Sequence, residues 1–284
     1  MNGKVYLVGA GPGDPELLTV KAIRILGEAD VVLHDDLVSR AIVKLAAPGA
    51  LISNVGKRCG KKHVSQEEIQ TALVNYARRG LTVVRLKGGD PLIFGRAGEE
   101  IGALIEAGID YEIVPGVTAA SCASAWAGIS LTDRRTASSL LFLSGHPSVE
   151  KLRNEWPDLA SERTDLRNAT VVVYMPGSDY AKIRDELYAV GVSPKAPCLL
   201  VSGASTAASR DHRTSLGKLA DAPQLASPKI LIVGEVVNRY RTCKEVRADT
   251  KSGQDKLPGK PQPSIRRRTE KENRSTALVP QEQR

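Results

Sequence analysis

The sequence predicts an α/β fold, and three observations carry that expectation. Short runs rich in Val, Ile and Leu recur along the chain with helix-like stretches between them. The first of these runs ends in a glycine turn, Gly9-Ala10-Gly11-Pro12-Gly13, where the backbone bends sharply. A second glycine turn, Lys87-Gly88-Gly89-Asp90-Pro91, follows the fourth run and sets the charges of Asp90 and Arg96 beside it.

Taken in order, strands are expected at Val5 to Val8, Val31 to Leu33, Leu51 to Val55, Thr82 to Leu86 and Tyr111 to Val114. The clearest helix opens at Ser65, where Glu68 completes a capping box, Ile69, Leu73 and Tyr76 share one face, and Gly80 ends the pattern. After Arg134 the pattern restarts, with strands at Leu140 to Leu143, Val171 to Met175, Cys198 to Val201 and Ile230 to Val237 and a helix near Ala181 to Val190. The restart argues for two α/β domains, 1–120 and 121–243, whose boundary falls within the segment 116–136. A chain of 284 residues has enough apolar content to supply both with a core. Residues 244–284 are rich in Lys, Arg, Pro, Gln and Ser and read as a basic, disordered tail. Arg266, Arg267 and Arg268 in that tail read as solvated.

The formal charge is +8, but the tail holds eleven basic and six acidic residues and so carries most of it. A mildly basic body suits an acidic substrate and falls short of the basic face of a dedicated nucleic-acid binder. Cys59, Cys122, Cys198 and Cys243 lie far apart, which indicates neither a zinc site nor a disulfide framework and fits the reducing cytoplasm. His34, His63, His146 and His212 are likewise scattered, so no metal is expected. The start MNGKVYLVGAG runs into a strand without a basic leader, and no run reaches the roughly 20 apolar residues of a membrane span. A cytoplasmic protein without membrane contact is expected.

The first glycine turn superficially matches a dinucleotide fingerprint, with Asp35 where a ribose-binding acid would stand. Pro12 lacks the amide a phosphate cradle uses, and Asp14 brings an acid to the place of a pyrophosphate. A ligand without phosphates fits better, and S-adenosylmethionine, with its positive sulfonium, is one.

Seven blocks then occur in order: VGAGPGDPELLT, ADVVLHDDLVS, VGKRCGKKHVSQEEI, RLKGGDPLIFGRAGEE, VPGVTAASCASAWAGISLT, VVYMPG and ILIVGEVV. On these, from Lys4 to about Val237, the chain resembles the tetrapyrrole methylase family and within it the uroporphyrinogen-III C-methyltransferases. The resemblance implies two α/β domains with the active site in the cleft between them, in a homodimer. It also implies S-adenosylmethionine as co-substrate, no metal, and two methyl transfers that turn uroporphyrinogen III into precorrin-2 through precorrin-1, for sirohaem or cobalamin synthesis.

Carried over by motif, Pro12, Gly88, Gly89, Asp90, Ile93, Thr118, Ala119, Met175 and Ala204 are expected to line the S-adenosylmethionine pocket. Asp35 is implied as proton acceptor and Lys57 as proton donor. The macrocycle is fringed with carboxylates, which need cationic partners when desolvated, and Arg96, Arg134 and Arg58 are the first choices. The chain departs from the family pattern at His34, usually tyrosine, at Ser130, usually proline, and at Asp133, often histidine. These positions fall on the side expected to hold the macrocycle. Three alternatives stay open at this point: a related precorrin methyltransferase, a nucleic-acid methylase or binder on the same fold, and a nicotinamide-dependent oxidoreductase.

Overall fold

The computed structural model describes residues 2–56, 64–145 and 166–239. In the first half, β1 (Lys4–Gly9), β2 (Val31–His34), β3 (Leu51–Asn54), β4 (Val83–Lys87) and β5 (Asp110–Val114) form a sheet in the order β3-β2-β4-β1-β5. All four pairings in it are parallel. Helices α1 (Val20–Gly27) and α2 (Arg40–Val43) cover one face, where Ile25, Leu26 and Ile42 pack on Val8, Val32, Val84 and Leu86. Helices α3 (Gln66–Arg78) and α4 (Ala97–Glu106) cover the other, setting Leu73 and Leu104 against Val5, Leu7, Leu33 and Val83. Side chains alternate across a strand, so burial of both faces explains why β1 and β2 are mostly apolar, whereas β4 carries the buried charges of Arg85 and Lys87 on one face.

The capping box at α3 forms as the residue types require. Ser65 Oγ accepts from the Glu68 amide at 3.1 Å, and Glu68 Oε2 accepts from the Ser65 amide at 2.6 Å. The helix ends at Arg78, and Gly80 takes the positive φ of 82° that turns the chain away.

In the second half, β6 (Ser139–Ser144), β7 (Ala169–Tyr174), β8 (Pro197–Ser202), β9 (Arg210–Ser215) and β10 (Lys229–Val233) make a sheet in the order β6-β7-β10-β8-β9. Only β6 and β7 pair in parallel. The helix Tyr180–Ala189 packs on one face through Tyr180, Ile183 and Leu187. Helix α5 (Ala119–Ala127) lays Ala120, Ala123 and Ala127 on the other face, against Val172, Leu199 and Ile232. It is the element that joins the two halves, following β5 of the first sheet and packing on the second.

The run read as one strand from Ile230 to Val237 is divided. Strand β10 stops at Val233, Gly234 adopts φ 138°, and Val236–Arg239 form a helical turn. Among the described residues no helix is long and apolar enough to cross a membrane. Lys57, Arg58, Cys59, His63, His146, Cys243 and the tail 244–284 lie outside the described residues.

Candidate active site

Strands β4 and β1 are neighbours, yet β1 continues into a helix on one face of the sheet and β4 into a helix on the other. Their carboxyl ends therefore flank a crevice, the place where open α/β sheets bind ligands. Both glycine turns lie there and pair with each other. The Gly89 amide donates to Gly11 O at 2.7 Å and the Gly11 amide to Gly89 O at 3.1 Å. Gly116, after β5, completes the packing: a Cβ on it would stand 2.4 Å from Gly89 O. Above Gly89 the space is open, since a Cβ there would meet nothing nearer than the Ala119 amide nitrogen at 3.8 Å. Its φ of 69° is left-handed, so glycine is the residue that leaves this cradle unfilled.

Two acids of these turns serve the turns themselves. Asp14 caps the short 3-10 turn Pro15–Leu17, its Oδ1 accepting from the Glu16 amide at 2.9 Å. Asp90 Oδ1 accepts from the Leu92 amide at 2.9 Å and Oδ2 from the Gly116 amide at 3.0 Å, tying the β4 and β5 loops together. Arg96 is the N-cap of α4, at φ 56°, and its guanidinium grips Glu99 through two bonds of 2.7 Å.

Asp35 follows β2 and its amide donates to Leu86 O of β4 at 3.2 Å. Its Oδ1 accepts from Arg85 Nη2 at 2.5 Å. Arg85 is buried and also donates through Nε to Glu100 Oε1 at 2.9 Å and through Nη1 to two backbone carbonyls. Lys87, two residues along the same face of β4, donates to both oxygens of Glu100 at 3.1 and 3.0 Å. Burial works against the charge on Arg85, but the carboxylates of Asp35 and Glu100 outweigh it and raise the guanidinium above its usual range. For Lys87 burial prevails, helped by the Arg85 charge, and its ammonium is held below its usual range. His34 Nδ1 lies 2.9 Å from the Asp35 carbonyl, which can only accept, so that nitrogen carries the proton.

The second half meets this crevice through Tyr174, the last residue of β7. Its hydroxyl lies 2.6 Å from Thr118 Oγ1 and accepts from the Ala120 amide at 3.3 Å, so it caps α5 where Thr118's own side chain does not. Burial pushes the phenol up from its usual range. Phe94 of the glycine loop and Phe142 of β6 pack on its ring at centroid distances of 5.0 and 5.4 Å. Met175 follows at φ 49°, still 43% exposed. Ile93, Ala119 and Ala204 are all packed against the same apolar cluster of the second sheet.

The structure thus gathers Pro12, Gly88, Gly89, Asp90, Ile93, Thr118, Ala119, Met175 and Ala204 on loops at the carboxyl ends of β1, β4, β5, β7 and β8. Asp35 stands beside them at the end of β2. Arg134 is exposed on the segment after α5, and Lys57 and Arg58 are the site expectations outside the described residues. Of the departures from the family pattern, Asp133 is buried, pairing with Arg135 at 2.8 Å and Arg239 at 3.4 Å, while Ser130 Oγ donates to Thr132 O at 2.6 Å. A separate depression of about 440 Å³, lined by Glu28, Asp30, Tyr76 and Arg79, lies at the amino ends of β2, β3 and β4, away from all of these. Sequence reasoning missed Arg85, Lys87, Glu100 and Tyr174. A signal existed for the first two, because two cations spaced by two in an apolar strand share one buried face.

With this geometry in view, residues 4–220 match the model of the Tetrapyrrole (Corrin/Porphyrin) Methylases. The chain belongs to that family. Among curated relatives, a siroheme synthase of Psychromonas ingrahamii is 45% identical over 240 residues, covering 83% of this chain and 49% of that protein. A siroheme synthase of Pseudomonas putida is 46% identical over 241 residues, covering 83% of this chain and 50% of that protein. The chain therefore spans about half the length of these relatives. Among solved structures, a uroporphyrin-III C-methyltransferase of Thermus thermophilus complexed with S-adenosylhomocysteine is 41% identical with a TM-score of 0.70, covering 84% of this chain and 100% of that one. A cobalt precorrin-4 methyltransferase of cobalamin biosynthesis is 30% identical with a TM-score of 0.68, over 82% of this chain and 95% of that one.

Proposed function

We propose that this chain is an S-adenosylmethionine-dependent uroporphyrinogen-III C-methyltransferase, making two transfers that lead through precorrin-1 to precorrin-2, for sirohaem or cobalamin synthesis. One observation carries the reading: similarity over the whole length of a uroporphyrin-III C-methyltransferase that binds S-adenosylhomocysteine, in a chain whose paired glycine turns leave an open cradle above Gly89. When bound, the co-substrate supplies an electrophilic methyl group on a sulfonium. In this reading Pro12, Gly88, Gly89, Asp90, Ile93, Thr118, Ala119, Met175 and Ala204 line the pocket that holds it, and Asp90 also keeps the cradle in shape by tying two loops. Asp35 takes the proton that the methylated ring must lose, and Lys57 donates one. A positioned base is worth typically about 10²- to 10⁴-fold, and holding the two reactants in line contributes more. Arg58, Arg96 and Arg134 partner the carboxylates of the macrocycle, Arg96 by exchanging Glu99 for substrate.

The working unit is proposed as a cytoplasmic homodimer, each chain divided into 1–120 and 121–243. The test is anaerobic incubation of the protein with S-adenosylmethionine and uroporphyrinogen III, followed by mass spectrometry of the extracted tetrapyrrole. A gain of two methyl groups is expected. No gain, with S-adenosylmethionine binding intact by calorimetry, refutes the substrate and favours the second reading, a methyltransferase acting on a later precorrin. His34, Ser130 and Asp133 are the observations that favour that second reading.

A further inference from the structure

The four charges behind the crevice form a chain: Asp35 to Arg85 at 2.5 Å, Arg85 to Glu100 at 2.9 Å, and Glu100 to Lys87 at 3.0 Å. Glu100 has no exposed side-chain surface, while Arg85 and Lys87 are 3% exposed and Asp35 is 28% exposed. Only the Asp35 end is therefore open to solvent. Stability alone is a poor reason for such a chain, because apolar residues of similar volume commonly hold a strand to a helix as well as or better than buried ions. The other face of β4, with Val84 and Leu86, does so. The charges also balance, two cations against two carboxylates, and the balance decides how Asp35 behaves. A buried cation next to a carboxylate lowers its affinity for a proton. Arg85 alone is matched by Asp35, but Lys87 behind it adds a second positive charge that Glu100 cancels.

We propose that Glu100 is a positioning residue for methyl transfer: it holds Arg85 against Asp35 and cancels the charge of Lys87, so that Asp35 is fixed in place yet keeps enough basicity to take the proton from the ring. The inference rests on Asp35 being the proton acceptor of the proposed function. Around Asp35, among the described residues, the charged and titratable groups are Arg85 and behind it Lys87 on β4, Glu100 on α4, and the flanking His34 and Asp36. Gln66 at the start of α3 donates to Glu100 Oε1 at 3.2 Å and is neutral. Asn54, also neutral, donates to Asp36 at 2.7 Å.

The test compares wild type with Glu100→Gln, Lys87→Met, the double variant and Asp35→Asn in full-length protein. It reads the pH profiles of kcat and kcat/KM under anaerobic conditions and the S-adenosylmethionine affinity by calorimetry. Glu100→Gln leaves one surplus cation, so the acid limb moves down by about one pH unit and kcat falls roughly tenfold, with affinity for the co-substrate within about twofold of wild type. Lys87→Met leaves one surplus carboxylate and moves the limb up by a similar amount. The double variant restores the balance and returns the limb to within about 0.3 of wild type. Limbs that do not move in folded variants reduce Glu100 to a structural role and overturn the proposal. If Glu100→Gln does not fold, an unmoved limb in Lys87→Met overturns it equally. Wild-type activity in Asp35→Asn overturns it while leaving the methyltransferase reading intact, whereas no methyl transfer by the wild type overturns both.

Discussion

Replacing Tyr174 by Phe removes one oxygen atom from the contact between the two halves and leaves its aromatic packing in place. That oxygen serves Thr118 Oγ1 at 2.6 Å and the Ala120 amide at 3.3 Å. Ala120 is fully buried, so its amide loses its partner without gaining water, which costs about 1–3 kcal/mol. Thr118 is only half-buried and can turn toward solvent, so its lost bond adds about 0.5–1.5 kcal/mol. The ring still packs between Phe94 and Phe142, so no cavity term enters. A net loss of about 1.5–4.5 kcal/mol corresponds to a fall in Tm of roughly 3–18 °C at about 2–4 °C per kcal/mol for a chain of this size. Thr118 and Ala119 open the helix proposed to face the methyl donor, so affinity for S-adenosylmethionine should weaken as well. Thermal unfolding by circular dichroism and calorimetric titration measure the two effects. A Tm within about 1 °C of wild type, with unchanged affinity, would mean the hydroxyl anchors nothing and would refute the reasoning.

Arg96→Gly relieves a left-handed backbone worth about 1–2 kcal/mol and loses an exposed ion pair worth about 0.2–1 kcal/mol. Thermal stability should hold or rise, while the KM for the carboxylated macrocycle rises about tenfold in steady-state kinetics; an unchanged KM removes Arg96 from the substrate site. Glu112 of β5 accepts from Lys21 and Lys4, and these bonds lower its pKa. The folded value lies below the unfolded one, so the contribution to stability is complete above the usual carboxylate range near about pH 4 and is lost as pH falls through the folded value. Glu112→Gln should therefore unfold earlier than wild type at neutral pH, with a difference that closes in acid; a difference independent of pH in a Tm series would contradict this.

The parallel sheet was legible because helices bury both of its faces, which forces runs such as Val5 to Val8 to be apolar throughout. Strand β9 was not legible, for the opposite reason. Arg210–Ser215 reads RDHRTS, an edge strand bonded only to β8, and nothing in its own sequence demands burial. Gly234 cut a strand short, and the break had a signal, since Gly234 and Glu235 interrupt the apolar run at the point where the backbone turns. Within the site, the glycine turns could be read locally, since each carries its signal in adjacent residues, whereas Asp35 was singled out through the family resemblance. The partners of Asp35 could not be read locally. Arg85 is 50 positions from Asp35, and Tyr174 is 54 from Ala120, so these contacts exist only once the strands are in register.

Strain is distributed in the same way as these long-range contacts. Among the described residues, the non-glycine positions with positive φ are Phe94, Arg96, Met175 and Ser205, all on loops leaving the carboxyl ends of β4, β7 and β8. A left-handed backbone costs a non-glycine residue about 1–2 kcal/mol, and glycine would avoid that cost at every one of these positions. Side chains are the reason to bear it. Phe94 at 52° lays its ring on Tyr174, and Met175 at 49° follows directly from the residue whose hydroxyl caps α5. Two loops from different sheets are thus bent against their preference toward one tyrosine, and that tyrosine holds the first turn of the helix between the sheets. A strained loop stays strained only while its surroundings over-determine it. The Tyr174 side chain should therefore matter through both its ends: loss of the hydroxyl loosens the first turn of α5, and loss of the ring takes away the frame on which the strained Phe94 rests.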